Sequence, residues 1–250
     1  MAGGNRQSYI RDVPGYGQFC PVAKAAEILA ERWTPLVLRE LICGSHRFND
    51  LQRGVPLMSP SMLSERLRGL QRAGVIERRP STVGRGWEYH LTEAGEELQP
   101  IIEQFGVWGQ RWARRKVERG DLDVPLLMWD IRRCVRPDDL PDRRVTVAFT
   151  FPDVRSGHSH WWLVFFHGDV DLCLTDPGFE VDVHITTDLR TMTRVWLGDI
   201  SVADAVRSDT MTLTGRTALV RSLPKWIGLS AFARVERPRK AAVGRSSASA

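Results

Sequence analysis

Residues 59–68, SPSMLSERLR, place hydroxyl, thioether and guanidinium groups at helical spacing. Leu63, Leu67 and Leu70 recur with the period that predicts the buried face of a helix. The remaining side chains then point outward: Ser59, Ser61, Met62, Ser64, Glu65, Arg66 and Arg68. Arginine can donate two hydrogen bonds to a guanine, serine can reach phosphate or base edges, and methionine can contact a thymine methyl group. The pattern favours a helix that enters a DNA major groove; a solvated helix face without a ligand is the alternative.

Two further arginines stand where a DNA-binding unit could contact the backbone. Arg85 lies between two glycines at the tip of a predicted hairpin, where it could reach the minor groove or a phosphate. Arg47 lies at the start of a predicted short helix and is a candidate for a phosphate contact.

Cys20 directly precedes Pro21, a favourable first residue of a helix. Free backbone N–H groups at such a position favour a thiolate, so Cys20 is a candidate redox or electrophile sensor. A cysteine packed near a dimer interface explains it equally well. The four cysteines form no CxxC pair, which argues against a disulfide scaffold and a zinc finger.

The second half of the chain is rich in large apolar side chains that could surround a hydrophobic ligand. Apolar residues on both faces of the segment WWLVFF indicate that one face packs on helices and the other lines a cavity. Core packing alone is the alternative. The candidate ligand-binding residues are Trp129, Trp161, Trp162, Phe165, Met192 and Trp196.

Other kinds of chemistry have no matching pattern. His158 and His160 have no carboxylate or thiol at a short ligand spacing, so we expect neither a metal nor a cofactor. GxSxG, Walker, GxGxxG and HExxH motifs are absent, and we expect no enzymatic activity. The longest unbroken apolar stretch is far shorter than the ~18 residues of a membrane span. The first residues, MAGGNRQSYIRD, resemble no secretory signal, so we expect a cytoplasmic location and no membrane partner.

The elements of the first half form a winged helix-turn-helix. Short helices joined by tight turns precede a two-stranded hairpin and a long amphipathic helix. The predicted elements are a helix from Pro21, a helix capped by Thr34 and ending at Gly44, a short helix capped by Ser45 and ending at Gly54, a helix from Ser59 to Gly74, strands at 75–79 and 86–91, and a helix from Thr92 to about Lys116.

The second half alternates with the period of strands and then of helices, which predicts an α+β fold. The strands are expected at 144–151, 160–168, 169–176, 180–187 and 210–215. Their spacing alone favours an antiparallel sheet. Asp188 and Ser201 can cap two helices, and a last helix is expected to break at Pro224. The residues from 238 onward are small and polar, so we expect a disordered tail.

Composition supports a folded chain with a basic first half. The 250 residues are 42% hydrophobic and 26% charged, which excludes disorder of the whole chain. The net charge is +5; the basic excess lies within residues 1–120, whereas residues 121–233 are net acidic. A basic first half suits a polyanionic partner such as double-stranded DNA.

Residues 20–79, with RWTPLVLREL, the RFNDL turn, SPSMLSERLR and then YHLTEAG, closely resemble the HxlR family of bacterial transcription regulators. The resemblance covers residues 20 to about 115. It implies a homodimeric winged-helix repressor or activator, paired through its first helix, its N-terminal arm and its last helix. Some members of that family sense oxidants or aldehydes through a cysteine that matches Cys20.

Residues 186–230 resemble the sterol-carrier-protein fold through WLGD, a short helix, a strand and GRTALVRSLP. The resemblance implies a mixed sheet with helices on one face and an apolar tunnel. We therefore expect a DNA-binding and dimerisation domain at 1–120, a sterol-carrier-like ligand-binding domain at 121–237 and a tail at 238–250. The predicted function is a dimeric repressor that binds an operator and responds to a hydrophobic effector. A hydrophobic-ligand carrier dimerised by its helical part, and a thiol-based regulator acting through Cys20, are the alternatives.

Overall fold

The computed structural model of the chain describes residues 15–82, 84–113, 117–155 and 157–236. The helices and strands pack around two separate hydrophobic cores. One core is built by residues between 37 and 102, and the other by residues between 124 and 227. We refer to the two as the first core and the second core. The tail expected at 238–250 lies outside the described residues.

Helices and a two-stranded antiparallel hairpin enclose the first core. These elements are α1 (Pro21–Leu29), α2 (Thr34–Ile42), α3 (Phe48–Gly54), α4 (Pro60–Arg72), β1 (Ile76–Pro80), β2 (Trp87–Leu91), α5 (Glu93–Glu96) and α6 (Gln99–Trp108). The order confirms the predicted helices and hairpin of a winged helix-turn-helix.

Helix α4 forms where the sequence pattern predicts it. The Ser59 side chain accepts a hydrogen bond from the Met62 backbone N–H, and Pro60 occupies the first turn. Leu63, Leu67 and Leu70 are buried in the first core, so the opposite face of the helix points away from it.

Two predicted helix starts are wrong, and a third predicted helix is divided into two. Trp33, with a left-handed φ of 76°, precedes α2 in place of the expected cap Thr34. Ser45 caps no helix because its hydroxyl donates to Glu40 (3.4 Å), and α3 begins at Phe48. Thr92 caps a helix as predicted, but that helix is the short α5. Because Pro100 has no N–H to continue the turn, a separate helix, α6, begins at Gln99 with Pro100 in its first turn. A π-helical turn at Gly109–Ala113 follows α6, and the expected helix end at Lys116 lies outside the described residues.

A five-stranded sheet with helices builds the second core. These elements are α7 (Val124–Cys134), β3 (Val145–Thr150), β4 (His160–Phe166), β5 (Asp169–Cys173), β6 (Val183–Thr187), α8 (Leu189–Trp196), α9 (Val202–Arg207), β7 (Met211–Gly215) and α10 (Thr217–Trp226). The strand order is β5-β4-β3-β6-β7. Asp188 and Ser201 cap α8 and α9 as predicted.

The sheet is mixed, as the second resemblance implies, whereas the antiparallel sheet that strand spacing alone favours is wrong. Strand β3 pairs with β6 in parallel, with Val147 opposite Val183, while the other pairs are antiparallel. Spacing between strands could not reveal this pairing because it depends on where the chain crosses the sheet. Helix α10 also continues through Pro224 to Trp226 instead of breaking, since a proline near a helix end disrupts few hydrogen bonds. Helix α7 was not predicted.

A buried ionic cluster joins the two cores. Glu40 of α2 is 0% exposed, and its carboxylate accepts hydrogen bonds from Arg39 (2.7 and 3.0 Å) and from Arg133 of α7 (2.7 Å). The indole N–H of Trp129, also on α7, donates to the same carboxylate (3.2 Å). Arg133 also pairs with Asp130. These contacts between α2 and α7 join side chains that are 89 and 93 residues apart in sequence.

Within the described part of the chain, no helix combines the length and the apolar character that crossing a membrane requires.

Candidate nucleic-acid interface

The outward face of α4 is exposed at its N-terminal end. Ser61, Met62, Glu65 and Arg68 are exposed, and Ser64 is half-buried. The Ser59 hydroxyl lies 3.0 Å from that of Ser61, at the helix end where free backbone N–H groups favour an anion. This end of α4 can therefore bind phosphate, and the next turn presents an arginine and a serine to a groove.

Arg66 differs from the other predicted contacts. Its guanidinium donates to the Glu31 carboxylate (2.9 Å), and its side chain is only 22% exposed. The pair ties α4 to the turn between α1 and α2. Arg66 is thus positioned to orient the helix, whereas Arg68 is free of such a tether in its exposed position.

The hairpin is fixed to the start of α3. Arg47 donates to the Ser81 hydroxyl (2.8 Å) and lies 3.8 Å from Glu88, and the two backbones form a bridge at Arg47 and Glu88. A hydrogen bond from Ser81 lowers the pKa of Glu88, which keeps that carboxylate charged beside Arg47. Arg85 is exposed at the tip. Arg47 is exposed, but its guanidinium already contacts Ser81 and Glu88. In the predicted phosphate contact, its N–H groups are shared between these two residues and the phosphate.

Cys20 lies directly before α1, as the sequence predicts. Hydrogen bonds from the backbone N–H groups of Ala23 and Val22 lower the pKa of the thiol. All four cysteines are free. Burial raises the pKa of Cys134 and Cys173, so Cys20 differs from them in the direction of its shift.

The six candidate ligand residues do not meet in one place. Phe165 and Met192 are packed in the second core, and Trp162 is half-buried on the opposite face of β4 from Trp161. Trp196 lines a cavity of about 580 Å³ together with residues of α7 and α8. Trp129 and Trp161 line another cavity, of about 490 Å³, which also contacts α3.

A metal site is not formed by the described residues, among which no group of three or more His, Cys, Asp or Glu is close enough to hold an ion. Sequence reasoning missed Glu31 and Glu40, whose partners are distant along the chain. No local pattern marks such residues, because a carboxylate on a helix is ordinarily solvated.

The exposed side of α6 is apolar. Its large side chains are Ile101, Phe105, Trp108 and, in the following turn, Trp112. Trp108 is 62% exposed, and a groove of about 670 Å³ runs between these side chains. An apolar surface of this kind on a helix is typical of an interaction site.

Comparison with known proteins identifies similar chains. Residues 28–117 match the sequence model of the HxlR-like helix-turn-helix. The uncharacterized HTH-type transcriptional regulator YvaP of Bacillus subtilis is 39% identical over 98 residues, which are 38% of this chain and 90% of YvaP. The uncharacterized regulator Rv3095 of Mycobacterium tuberculosis is 41% identical over 95 residues, 38% of this chain and 60% of Rv3095.

A solved structure described as the reduced form of the transcriptional regulator YodB from B. subtilis is 31% identical. The match covers 39% of this chain and 97% of YodB, with a TM-score of 0.34.

Proposed function

Because the chain belongs to the HxlR family of helix-turn-helix transcriptional regulators, we propose that it is a homodimeric repressor of the cytoplasm that binds a specific operator and responds to a small hydrophobic effector. Residues 1–120 bind DNA and dimerise, and residues 121–237 form a sterol-carrier-like effector domain. The exposed face of α4, next to the hairpin fixed through Arg47, is the observation that carries this proposal.

In the proposed complex α4 enters the major groove. Ser59 and Ser61 contact phosphate near its N-terminus, Met62 and Ser64 contact bases, and Arg68 binds a guanine. Arg85 at the hairpin tip contacts the minor groove or its phosphates. Arg66 keeps its pair with Glu31 and holds the helix at its angle, and Glu65 accepts from a cytosine amino group.

The apolar side of α6 is the proposed dimer surface. Phe105, Trp108 and Trp112 are large, exposed and adjacent, and a second copy of the same face covers them about a two-fold axis. As the family resemblance implies, helix α1 takes part in the same pairing. Two copies of α4 then read two half-sites of a pseudo-palindromic operator.

The test is fluorescence anisotropy with the DNA directly upstream of the gene against a scrambled duplex, over a salt series. Sequence-selective binding is expected, with affinity falling by ~0.9 log unit per phosphate contact for each decade of salt. Arg68→Gln should weaken operator binding by ~1–3 kcal/mol and relax the sequence preference. Arg207→Gln is the matched control, since Arg207 is exposed on α9 and pairs with Asp204.

Weak binding that is equal for upstream and scrambled DNA, and equal for the wild type and Arg68→Gln, would contradict the operator model. It would favour the alternative of a hydrophobic-ligand carrier whose helical part only dimerises. Material co-purifying with the protein would then be identified by mass spectrometry, and a ligand that is chemically changed would indicate an enzyme instead.

A thiol-based regulator is a second candidate, favoured by the N–H groups that stabilise the Cys20 thiolate. Oxidant treatment should then change operator affinity in the wild type and leave Cys20→Ser unaffected. Equal responses in the two proteins would exclude this function for Cys20.

A further inference from the structure

A cavity of about 490 Å³ lies between the two cores. Helix α3, the first helix of the helix-turn-helix pair, supplies Gln52 and Arg53, and β5 supplies Leu172 on the opposite side. The volume falls within the roughly 300–1,000 Å³ that small-molecule sites occupy. Because both cores contribute walls, an occupant of this cavity would contact the DNA-binding part directly.

Arg132 is the charged group that the cavity leaves available. Its Nε donates to the Val170 carbonyl (2.7 Å), and the structure gives it no ion pair with any described residue. The neighbouring cations are already neutralised, Arg53 by Asp50 (2.9 Å) and Arg133 by Glu40 (2.7 Å). A half-buried guanidinium without a carboxylate partner favours a bidentate anion, above all a carboxylate.

The apolar part of the remaining lining includes two indoles, two prolines and two leucines, beside the polar Asp50, Gln52, Arg53, His158 and Asp171. Both indole N–H groups are engaged, since Trp161 donates to the His158 carbonyl (2.8 Å) and Trp129 donates to Glu40. Arg132 and Arg53 lie over the Trp129 ring (5.2 and 5.4 Å), which holds the Arg132 guanidinium against the cavity wall. Leu172 and Leu174 lie beside them. Such surfaces favour a flat, apolar body.

We propose that this cavity binds a planar aromatic monocarboxylate, with the carboxylate on Arg132 and the ring against Leu172 and Leu174. The inference rests on the proposed effector function and gives the effector its place and chemical class. Asp171, exposed at the rim, repels a second negative charge and so selects against dicarboxylates.

The same cavity is connected to the recognition helix. The Gln52 amide donates to the carbonyls of Met58 (2.6 Å) and Val55 (3.3 Å), which form the turn before α4. On the other side Trp129 reaches Glu40 of α2. A ligand that displaces either side chain therefore changes the support of α4, and its differential affinity for the two arrangements sets the change in DNA affinity.

The experiment is isothermal titration of the full-length protein with 2-naphthoate, with neutral 2-naphthalenemethanol as the comparison ligand. Wild type should bind the acid at least tenfold more tightly than the alcohol. Arg132→Gln should weaken 2-naphthoate binding by roughly tenfold or more, because one charge-assisted hydrogen-bonded contact is lost. Arg194→Gln, an exposed arginine on α8, is the matched control and should bind like the wild type.

A second variant tests the proposal even if Arg132→Gln does not fold. Asp171→Asn removes an exposed carboxylate at the rim and should tighten 2-naphthoate binding a few-fold. Failure of 2-naphthoate to bind, equal affinity for the alcohol, or no change in either variant would each overturn the proposal. These titrations contain no DNA, so their failure leaves operator binding standing, and a failure of operator binding leaves the titrations informative.

Discussion

Replacing Glu40 by alanine tests the cluster that joins the two cores. The change removes the carboxylate shared by Arg39, Arg133 and Trp129. Although burial opposes the charge of Arg133, the carboxylates of Glu40 and Asp130 raise its pKa, so Arg133 stays charged and would be left with Asp130 alone. Burial raises the pKa of Asp130, which weakens it as the remaining partner of Arg133.

The expected loss of unfolding free energy in Glu40→Ala depends on how much buried charge the substitution leaves unpaired. Breaking a buried ion pair by removing one partner costs about 3–5 kcal/mol. Arg39 is partly exposed and can return to water, and Arg133 keeps one partner, so the expected loss lies near the lower end, at about 3 kcal/mol. Glu40→Gln retains an acceptor for the Trp129 indole and should cost less.

The loss is measured by urea unfolding, followed by far-UV circular dichroism. We expect a lower urea concentration at the midpoint and an unchanged slope of the unfolding free energy against urea concentration. The exposed Glu97→Ala is the matched control and should stay within about 0.5 kcal/mol of the wild type. In addition, Glu40→Leu combined with Asp130→Leu and Arg133→Met should recover most of the loss, since apolar residues then replace all three buried charges. A cost below about 1 kcal/mol for Glu40→Ala would refute the view that this cluster joins the cores.

Three further predictions follow from local geometry. Gly54→Ala should destabilise the fold by about 2 kcal/mol in the same urea assay, because a Cβ there would overlap the Glu40 carboxylate, whereas Gly69→Ala, with open space around it, should not. Phe105→Glu should convert a dimer into a monomer in sedimentation velocity, and a monomeric wild type would contradict the α6 interface. Iodoacetamide should alkylate Cys20 with a half-maximal pH below that of Cys173, because N–H donors lower the pKa of Cys20 and burial raises that of Cys173; the reverse order in mass-spectrometric peptide mapping would refute the assignment.

Local patterns were sufficient to predict α4 and the hairpin. Leu63, Leu67 and Leu70 carry a helical period, and Ser59 with Pro60 is a strong start signal, so neither depends on distant partners. The caps Asp188 and Ser201 were predicted for the same reason. Once the buried face of α4 is predicted, the residues on its outward face are predicted as well.

Predictions from local sequence failed where contacts between residues far apart in the chain determine the structure. Ser45 has the residue type of a helix cap, yet its hydroxyl donates to Glu40. The pairing of Arg66 with Glu31, which is 35 residues away, was also not predicted, while the base contact of Arg66 stays a prediction. The parallel pairing of β3 and β6 likewise joins segments on either side of β4 and β5. The aromatic residues were noticed as a group, but only the fold separates the core residues from those that line a cavity.

Contacts at both ends of the first core make the second core a support for the whole DNA-binding unit. Besides the Glu40 cluster at α2, Phe232 packs against Gly106 of α6, where any side chain larger than hydrogen would meet its ring. Ser230, two residues before, donates its N–H to the Trp196 carbonyl at the end of α8 (2.8 Å). In the proposed dimer paired through α6, a shift of the second core would act on the first core, which holds α4, through α2 and on the dimer axis through α6. In the proposed dimer both movements would alter the distance between the two copies of α4, and the half-site spacing of a pseudo-palindromic operator must match that distance.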